Sequence, residues 1–161
     1  MDAETSAALK LWVVAHRALH TVQRRLARHT AEHGLTPTEF GVLEVMYSKG
    51  PTPLGEIASK VLMQCGSLTY VIKKLEEQGY VVRRPSDEDR RVIFGELTEQ
   101  GRALMDILFP AHARIIRDAM AGAAPEEIIA ATGLLKQIGG GGDLTPRASA
   151  KFGPRASGSA V

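Results

Sequence analysis

The sequence predicts a mainly α-helical chain with one small β-hairpin. Three observations predict it. Apolar residues recur every three to four positions through most of the chain, capping signals cut that pattern into separate helices, and the β-branched, strand-like period appears in one stretch only, residues 80–97.

The first helix runs from about Thr5 to His33. Leu9, Trp12, Val13, His16, Leu19, Val22 and Leu26 share one face, Thr5 or Ser6 is placed to cap the start, and Gly34 to end it. At 1.5 Å per residue it is about 40 Å long, more than a domain this small needs, so its stripe is expected to pack outside the local fold. The second helix starts with Thr36 and Glu39 at capping-box spacing around Pro37, buries Phe40, Leu43, Met46 and Tyr47, and closes at Gly50. Thr52-Pro53 repeats the start signal for a third helix carrying Leu54, Ile57, Ala58 and Val61. A fourth begins near residues 63–65, carries Leu68, Val71, Ile72 and Leu75, and ends at Gly79.

Tyr80–Arg84 and Val92–Leu97 read as two antiparallel strands around the polar turn PSDEDRR. Thr98 then opens a second long helix with Leu104, Leu108, Ala111, Ile115 and Met120 inward and a kink expected at Pro110. A last helix spans Glu126–Ile138, and the Gly/Ser/Ala/Pro-rich residues 139–161 read as a flexible tail. Compact helices followed by a hairpin make a winged helix-turn-helix, whose later short helix projects its non-core face outward.

Composition narrows the function. The 161 residues are 44% hydrophobic and 24% charged, a globular balance, and no run of 18 apolar residues spans a membrane. A single cysteine, Cys65, fits a reducing cytosol, so a cytoplasmic location is expected. The net charge is only +2. Residues 143–161 hold three of the 20 basic groups and one of the 18 acidic ones, which leaves the rest neutral. Any DNA contact must therefore use a local patch.

Two neighbouring elements supply such a patch. The fourth helix carries Ser67, Thr69, Tyr70, Lys73 and Lys74 opposite its apolar stripe, with the hydroxyls nearest its anion-attracting N-terminus. A helix of this size fits the major groove. The hairpin places Arg83, Arg84, Arg90 and Arg91 around Asp87, Glu88 and Asp89, and a guanidinium on a narrow ribbon can enter a minor groove. Asp89 is spaced to fix Arg91 by a bidentate pair. Either feature alone is equally a solvated surface; together they point to DNA.

The stretches GSLTYVIKKLEEQGYVVR and DRRVIFGELTEQG, the second an Asp-x-Arg wing followed by Leu-Thr-x-x-Gly, resemble the multiple-antibiotic-resistance regulator (MarR) family. The resemblance covers about Leu9 to Ile138 and is nearest to that family's quinone- and phenol-responsive branch. It implies a homodimer on a pseudo-palindromic operator of double-stranded DNA. Residues 1–35 would form an N-terminal dimerisation helix, 36–97 the winged helix-turn-helix DNA-binding domain, 98–138 C-terminal dimerisation helices and 139–161 the tail. Ser67, Thr69, Tyr70, Lys73, Lys74, Asp89, Arg90 and Arg91 would meet DNA. A small aromatic effector would sit between the dimer helices and the DNA-binding unit, with Trp12, His16, Phe40, Met46, Phe109 and His112 as possible lining; all six are also good core residues. Cys65 departs from the Ser or Thr of many relatives. A thiol at a helix N-terminus can act as a redox sensor, or be a small half-buried residue without reactivity.

Sequence reasoning thus expects a repressor released by a phenolic or quinone-like ligand or by thiol oxidation. The alternatives are a winged-helix protein–protein module without DNA binding, and a thiol peroxidase-like enzyme working through Cys65. The histidine pairs His16/His20 and His29/His33 have i, i+4 metal-ligand spacing but no local third ligand. No metal, cofactor or catalytic residue is expected, since phosphate-loop, nucleophile-elbow and His-Glu-x-x-His motifs are all missing.

Overall fold

A computed structural model of the chain describes residues 2–61, 63 and 65–138, with the Cys65 side chain outside the description. Residues up to Ala119 form one unit, and a second begins at Met120.

Helix α1 spans Ala3–Ala31. Its start is capped by Asp2, whose carboxylate accepts from the Thr5 amide at 2.7 Å, not by Thr5 or Ser6 as expected. A charged oxygen one residue outside the helix reaches the free amide that a hydroxyl within the first turn cannot. Helix α2 spans Pro37–Lys49 and keeps its capping box: the Thr36 amide donates to Glu39 and the Glu39 amide donates to the Thr36 hydroxyl. Gly50 closes it at φ +79°, a conformation that favours glycine.

Thr52–Pro53 precedes the third helix as expected, with Pro53 at its N-cap position, and is also a two-residue strand, β1. The Thr52 hydroxyl donates to the Gly50 carbonyl at 2.9 Å, and helix α3, Leu54–Lys60, begins without a side-chain cap. Helix α4 spans Cys65–Glu77, and strands β2 and β3 span Val81–Pro85 and Ile93–Leu97. β1 pairs with β3 (Thr52 opposite Gly95), so the expected hairpin is part of a three-stranded antiparallel sheet in the order β1-β3-β2. Helix α5, Glu99–Ala119, stays one continuous element through Pro110. In the second unit, α6 spans Pro125–Ile138 with Ile129, Leu134, Leu135 and Ile138 exposed.

The core joins α2, α3, α4, the sheet and the first half of α5. Phe40, Leu43, Met46, Ile57, Leu68, Ile72, Leu75, Met105 and Leu108 are all but inaccessible. Two glycines show how closely it is packed. A Cβ on Gly95 would lie 3.0 Å from the Met46 sulfur and 3.2 Å from Ile57. One on Gly101 would lie 2.0 Å from the Tyr80 carbonyl oxygen, so only glycine lets α5 approach the start of β2. Thr98 closes the same corner: its hydroxyl donates to the Gly79 carbonyl at 2.6 Å and accepts from the Gly101 amide at 3.0 Å.

α1 divides in two. Its C-terminal part packs on α2 and α5, burying Thr30 and half-burying Leu26 and His29. Its N-terminal part leaves Leu9, Leu11, Trp12, Val13, Val14 and Leu19 exposed.

Candidate nucleic-acid interface and adjoining cavity

α4 is amphipathic in the expected sense. Leu68, Val71, Ile72 and Leu75 face the core, while Ser67, Thr69, Tyr70 and Lys73 lie on the open face. Tyr70 is 72% exposed, and the Lys73 side chain, 70% exposed, makes only a loose contact with Glu77 at 3.8 Å.

Lys74 differs from its neighbour. Its ammonium lies 2.6 Å from Glu39, whose side chain is only 4% exposed against 39% for the lysine. Burial raises the Glu39 pKa, but hydrogen bonds from Lys74 and the Thr36 amide, with the lysine's charge, outweigh it and hold the carboxyl below its ordinary 4.5. The hydrogen bond to the same carboxylate, then its charge, raises the Lys74 pKa. Lys74 thus ties α4 to the capping box of α2. Sequence reasoning placed it beside Lys73 because adjacent helical positions differ by only about 100°.

The arginines of the hairpin divide similarly. Arg83 holds Glu76 of α4 through Nη2 at 2.8 Å and Nε at 3.0 Å, and Arg84 pairs with Glu96 across the sheet at 2.8 Å. Both serve to brace the strands. At the tip, Arg91 donates to Asp89 from its amide (3.0 Å), Nε (3.1 Å) and Nη2 (3.2 Å), and these bonds hold the Asp89 carboxyl below its usual range. The turn is shaped by the Ser86 hydroxyl, which accepts from the Glu88 and Asp89 amides. The Arg91 side chain remains 91% exposed, and no ion pair joins Arg90 to another described residue. Asp89 therefore orders Arg91 without covering it.

Beside α2 lies an open cavity of about 550 Å³ between α1, α2 and α5. Leu26, Ala27, Phe40 and Gly41 give it apolar walls, with Thr30 and His112 beside them, and His20, Gln23, Arg24 and Glu44 add polar groups. Burial raises the Glu44 pKa. Of the six residues expected to line an effector site, Phe40 and His112 line this cavity. Met46 is fully buried in the core, Phe109 packs on Tyr47, and Trp12, 69% exposed, stacks with His16 farther up α1. Apolar residues facing a core and those facing a cavity share one helical period, which is why the sequence did not separate them.

His112 is 7% exposed and stacks on Phe40 with ring centroids 4.1 Å apart. His29 approaches it to 6.1 Å and places Nε2 3.3 Å from the Leu108 carbonyl oxygen. Burial, then the nearby His29, lower the His112 pKa below 6.5. The His112 Nδ1 has no hydrogen-bond partner. His33 turns its Nδ1 to the His29 carbonyl, so the His29/His33 pair engages backbone, and no group of three or more metal-ligating side chains occurs among the described residues. The expected sensor, the Cys65 side chain, and the tail lie outside the described residues.

Comparison with known proteins fits this geometry. Residues 35–93 match the model of the MarR family. The chain is 42% identical over 135 residues to the HTH-type transcriptional regulator MhqR of Bacillus subtilis, covering 84% of this chain and 93% of that protein. It is 39% identical over 138 residues to the uncharacterized HTH-type transcriptional regulator YkoM of the same organism, covering 86% and 90%. Among solved structures, AbsC, a MarR family transcriptional regulator from Streptomyces coelicolor, superposes with a TM-score of 0.75 at 23% identity over 86% of this chain and 93% of that one. BpsR of Bordetella bronchiseptica, described as regulated in DNA binding by 6-hydroxynicotinic acid, gives 0.69 at 23% identity over 79% and 91%. NadR, solved in complex with 4-hydroxyphenylacetate, gives 0.71 at 18% identity over 80% and 91%. At those identities the structures speak for the fold alone. Its relatives are transcriptional regulators rather than enzymes, and no described helix is long and apolar enough to cross a membrane. The chain belongs to the MarR family of DNA-binding, winged helix-turn-helix transcriptional regulators.

Proposed function

We propose that the protein is a homodimeric repressor that sets two copies of α4 into successive major grooves of a pseudo-palindromic operator and releases it when a small aromatic effector binds. The observation that carries the DNA contacts is the pairing of an open polar face on α4 with Arg91 held by Asp89. Ser67, Thr69 and Tyr70 read bases, Lys73 meets a phosphate, and Arg90 and Arg91 enter the flanking minor groove. Lys74 acts from behind, by fixing the angle of α4 on α2.

The dimer rests on two apolar surfaces, the N-terminal stripe of α1 and the exposed face of α6. Each helix exposes several large apolar side chains, which a partner surface would cover. In this reading residues 1–35 and 98–138 supply the dimer contacts and 36–97 the DNA contacts, although Met105 and Leu108 also complete the DNA-binding core. The effector reading rests on the cavity beside α2, the helix that Lys74 grips. Aromatic ligands of two structural neighbours, 6-hydroxynicotinic acid and 4-hydroxyphenylacetate, are consistent with it. An effector shifts DNA affinity only by its differential affinity for the two states.

Gel-shift on the DNA upstream of the protein's own gene, with specific and scrambled competitors, tests the reading. Binding that survives scrambled but not specific competitor supports it. Weak binding without sequence preference would instead fit a protein–protein module. Titrating the complex with phenols, quinones and peroxide, in wild type and Cys65→Ser, separates ligand release from thiol oxidation.

A further inference from the structure

If α4 and the wing are to meet one duplex together, their separation must be fixed. Beyond Val81 the hairpin leaves the core: Val82 is half-buried, and Arg83, Arg84 and Pro85 are exposed. The ribbon is braced along its length. Arg84 pairs with Glu96 across it at 2.8 Å, and the Ser86 amide donates to the Val92 carbonyl at 2.9 Å where the tip turn closes. A braced ribbon swings as one piece about its root, so the hold on the root sets where Arg91 lies.

Glu76 of α4 supplies that hold. β2 is an edge strand in the order β1-β3-β2, and amides on an outer edge have no strand partner. The Arg83 amide donates to Glu76 Oε1 at 3.2 Å, its Nε donates to the same oxygen at 3.0 Å, and its Nη2 lies 2.8 Å from Oε2. Both carboxylate oxygens therefore grip one residue by backbone and guanidinium at once. Among the described residues this is the ion pair that joins α4 to the hairpin. A partly exposed pair adds little stability, but a fork with an added backbone bond fixes direction.

We propose that Glu76 is a positioning residue that couples the two DNA contacts. By holding Arg83 it sets the distance from α4 to the wing tip, so that Arg91 meets the minor groove when α4 sits in the adjoining major groove. The inference rests on the DNA-contact reading given above. It assigns to Glu76 no contact with DNA; its effect passes through Arg91.

The test is a double-mutant cycle on DNA binding by the full-length protein. Fluorescence anisotropy with the duplex upstream of its own gene is run across a salt series for wild type, Arg91→Ala, Glu76→Ala and the double variant. In the wild-type background, Arg91→Ala is expected to weaken binding by about tenfold to a hundredfold and to lower the slope of log affinity against log salt by about 0.9 per subunit. In the Glu76→Ala background the same change is expected to cost less than about threefold and to leave the slope unchanged. A Glu76 that serves stability alone would leave both penalties at their wild-type size. Penalties as large or larger in the Glu76→Ala background would thus overturn the inference and leave the DNA reading standing. An Arg91→Ala protein that binds as wild type would overturn the wing reading itself, and the inference with it. Thermal melts verify folding. Should Glu76→Ala not fold, Arg83→Lys, which keeps a cation but loses the fork, takes its place in the cycle with the same expectations.

Discussion

The winged helix and the long terminal helices solve the same packing problem in opposite ways. Between Leu35 and Leu108 nearly every large apolar side chain with helical or strand spacing is covered within one chain. On the N-terminal half of α1 and on α6 the same spacing produces stripes that remain exposed, Leu19 and Ile129 among them. Periodicity therefore says which face is apolar, but not what covers it. Where loops are short and capped, the cover comes from the next element. Where a helix outruns its neighbours, the apolar residues stay exposed in the single chain, and a second copy is the cover that the proposed dimer would supply.

Substitutions on each side should separate the two solutions. Ile72→Ala in the complete core is expected to lower stability by about 2–5 kcal/mol in denaturant unfolding, since it opens a cavity among rigid neighbours. Leu19→Glu should leave the secondary structure unchanged by circular dichroism while shifting sedimentation from dimer to monomer. A dimer that survives it would show that this stripe is covered by something else.

Lys74→Met sharpens the contrast inside the winged helix. It leaves the buried Glu39 carboxylate with the Thr36 amide but without its cation, and should destabilise by about 1–3 kcal/mol, less than a fully buried pair because the lysine is partly in water. The pH dependence has a definite sign. A carboxyl held below 4.5 in the folded state stabilises above 4.5 and loses that contribution as pH falls through its lower folded value. The acid limb of the wild-type stability curve should therefore flatten in Lys74→Met. Arg91→Ala should alter stability by no more than about 0.5 kcal/mol, because the side chain packs on nothing but Asp89. Its effect should fall on DNA affinity.

How far the sequence was legible follows from the range of each interaction. The capping box at Thr36 and Glu39, the Gly50 stop and the Asp89–Arg91 pair join residues at most four apart in sequence, and each was readable. β1 was not, because two residues are too few to show a period and Thr-Pro also resembles a helix start. The Glu39–Lys74 and Arg83–Glu76 pairs join separate elements, so their register appears only after folding. The cavity was the least legible part. Met46 and Phe109 satisfy the same apolar pattern as Phe40, and only the packing of α1 on α2 and α5 decides which of them faces open space.

Adjacent lysines on α4 offer the most direct test of the account, because they share a charge and differ in what they touch. Fluorescence anisotropy of operator binding, repeated across a salt series, should show a slope of log affinity against log salt reduced by about 0.9 per subunit in Lys73→Gln. In Lys74→Gln the slope should match wild type even where affinity falls. Equal loss of slope in both variants would place Lys74 on the phosphate backbone and contradict its role as the strut behind the reading helix.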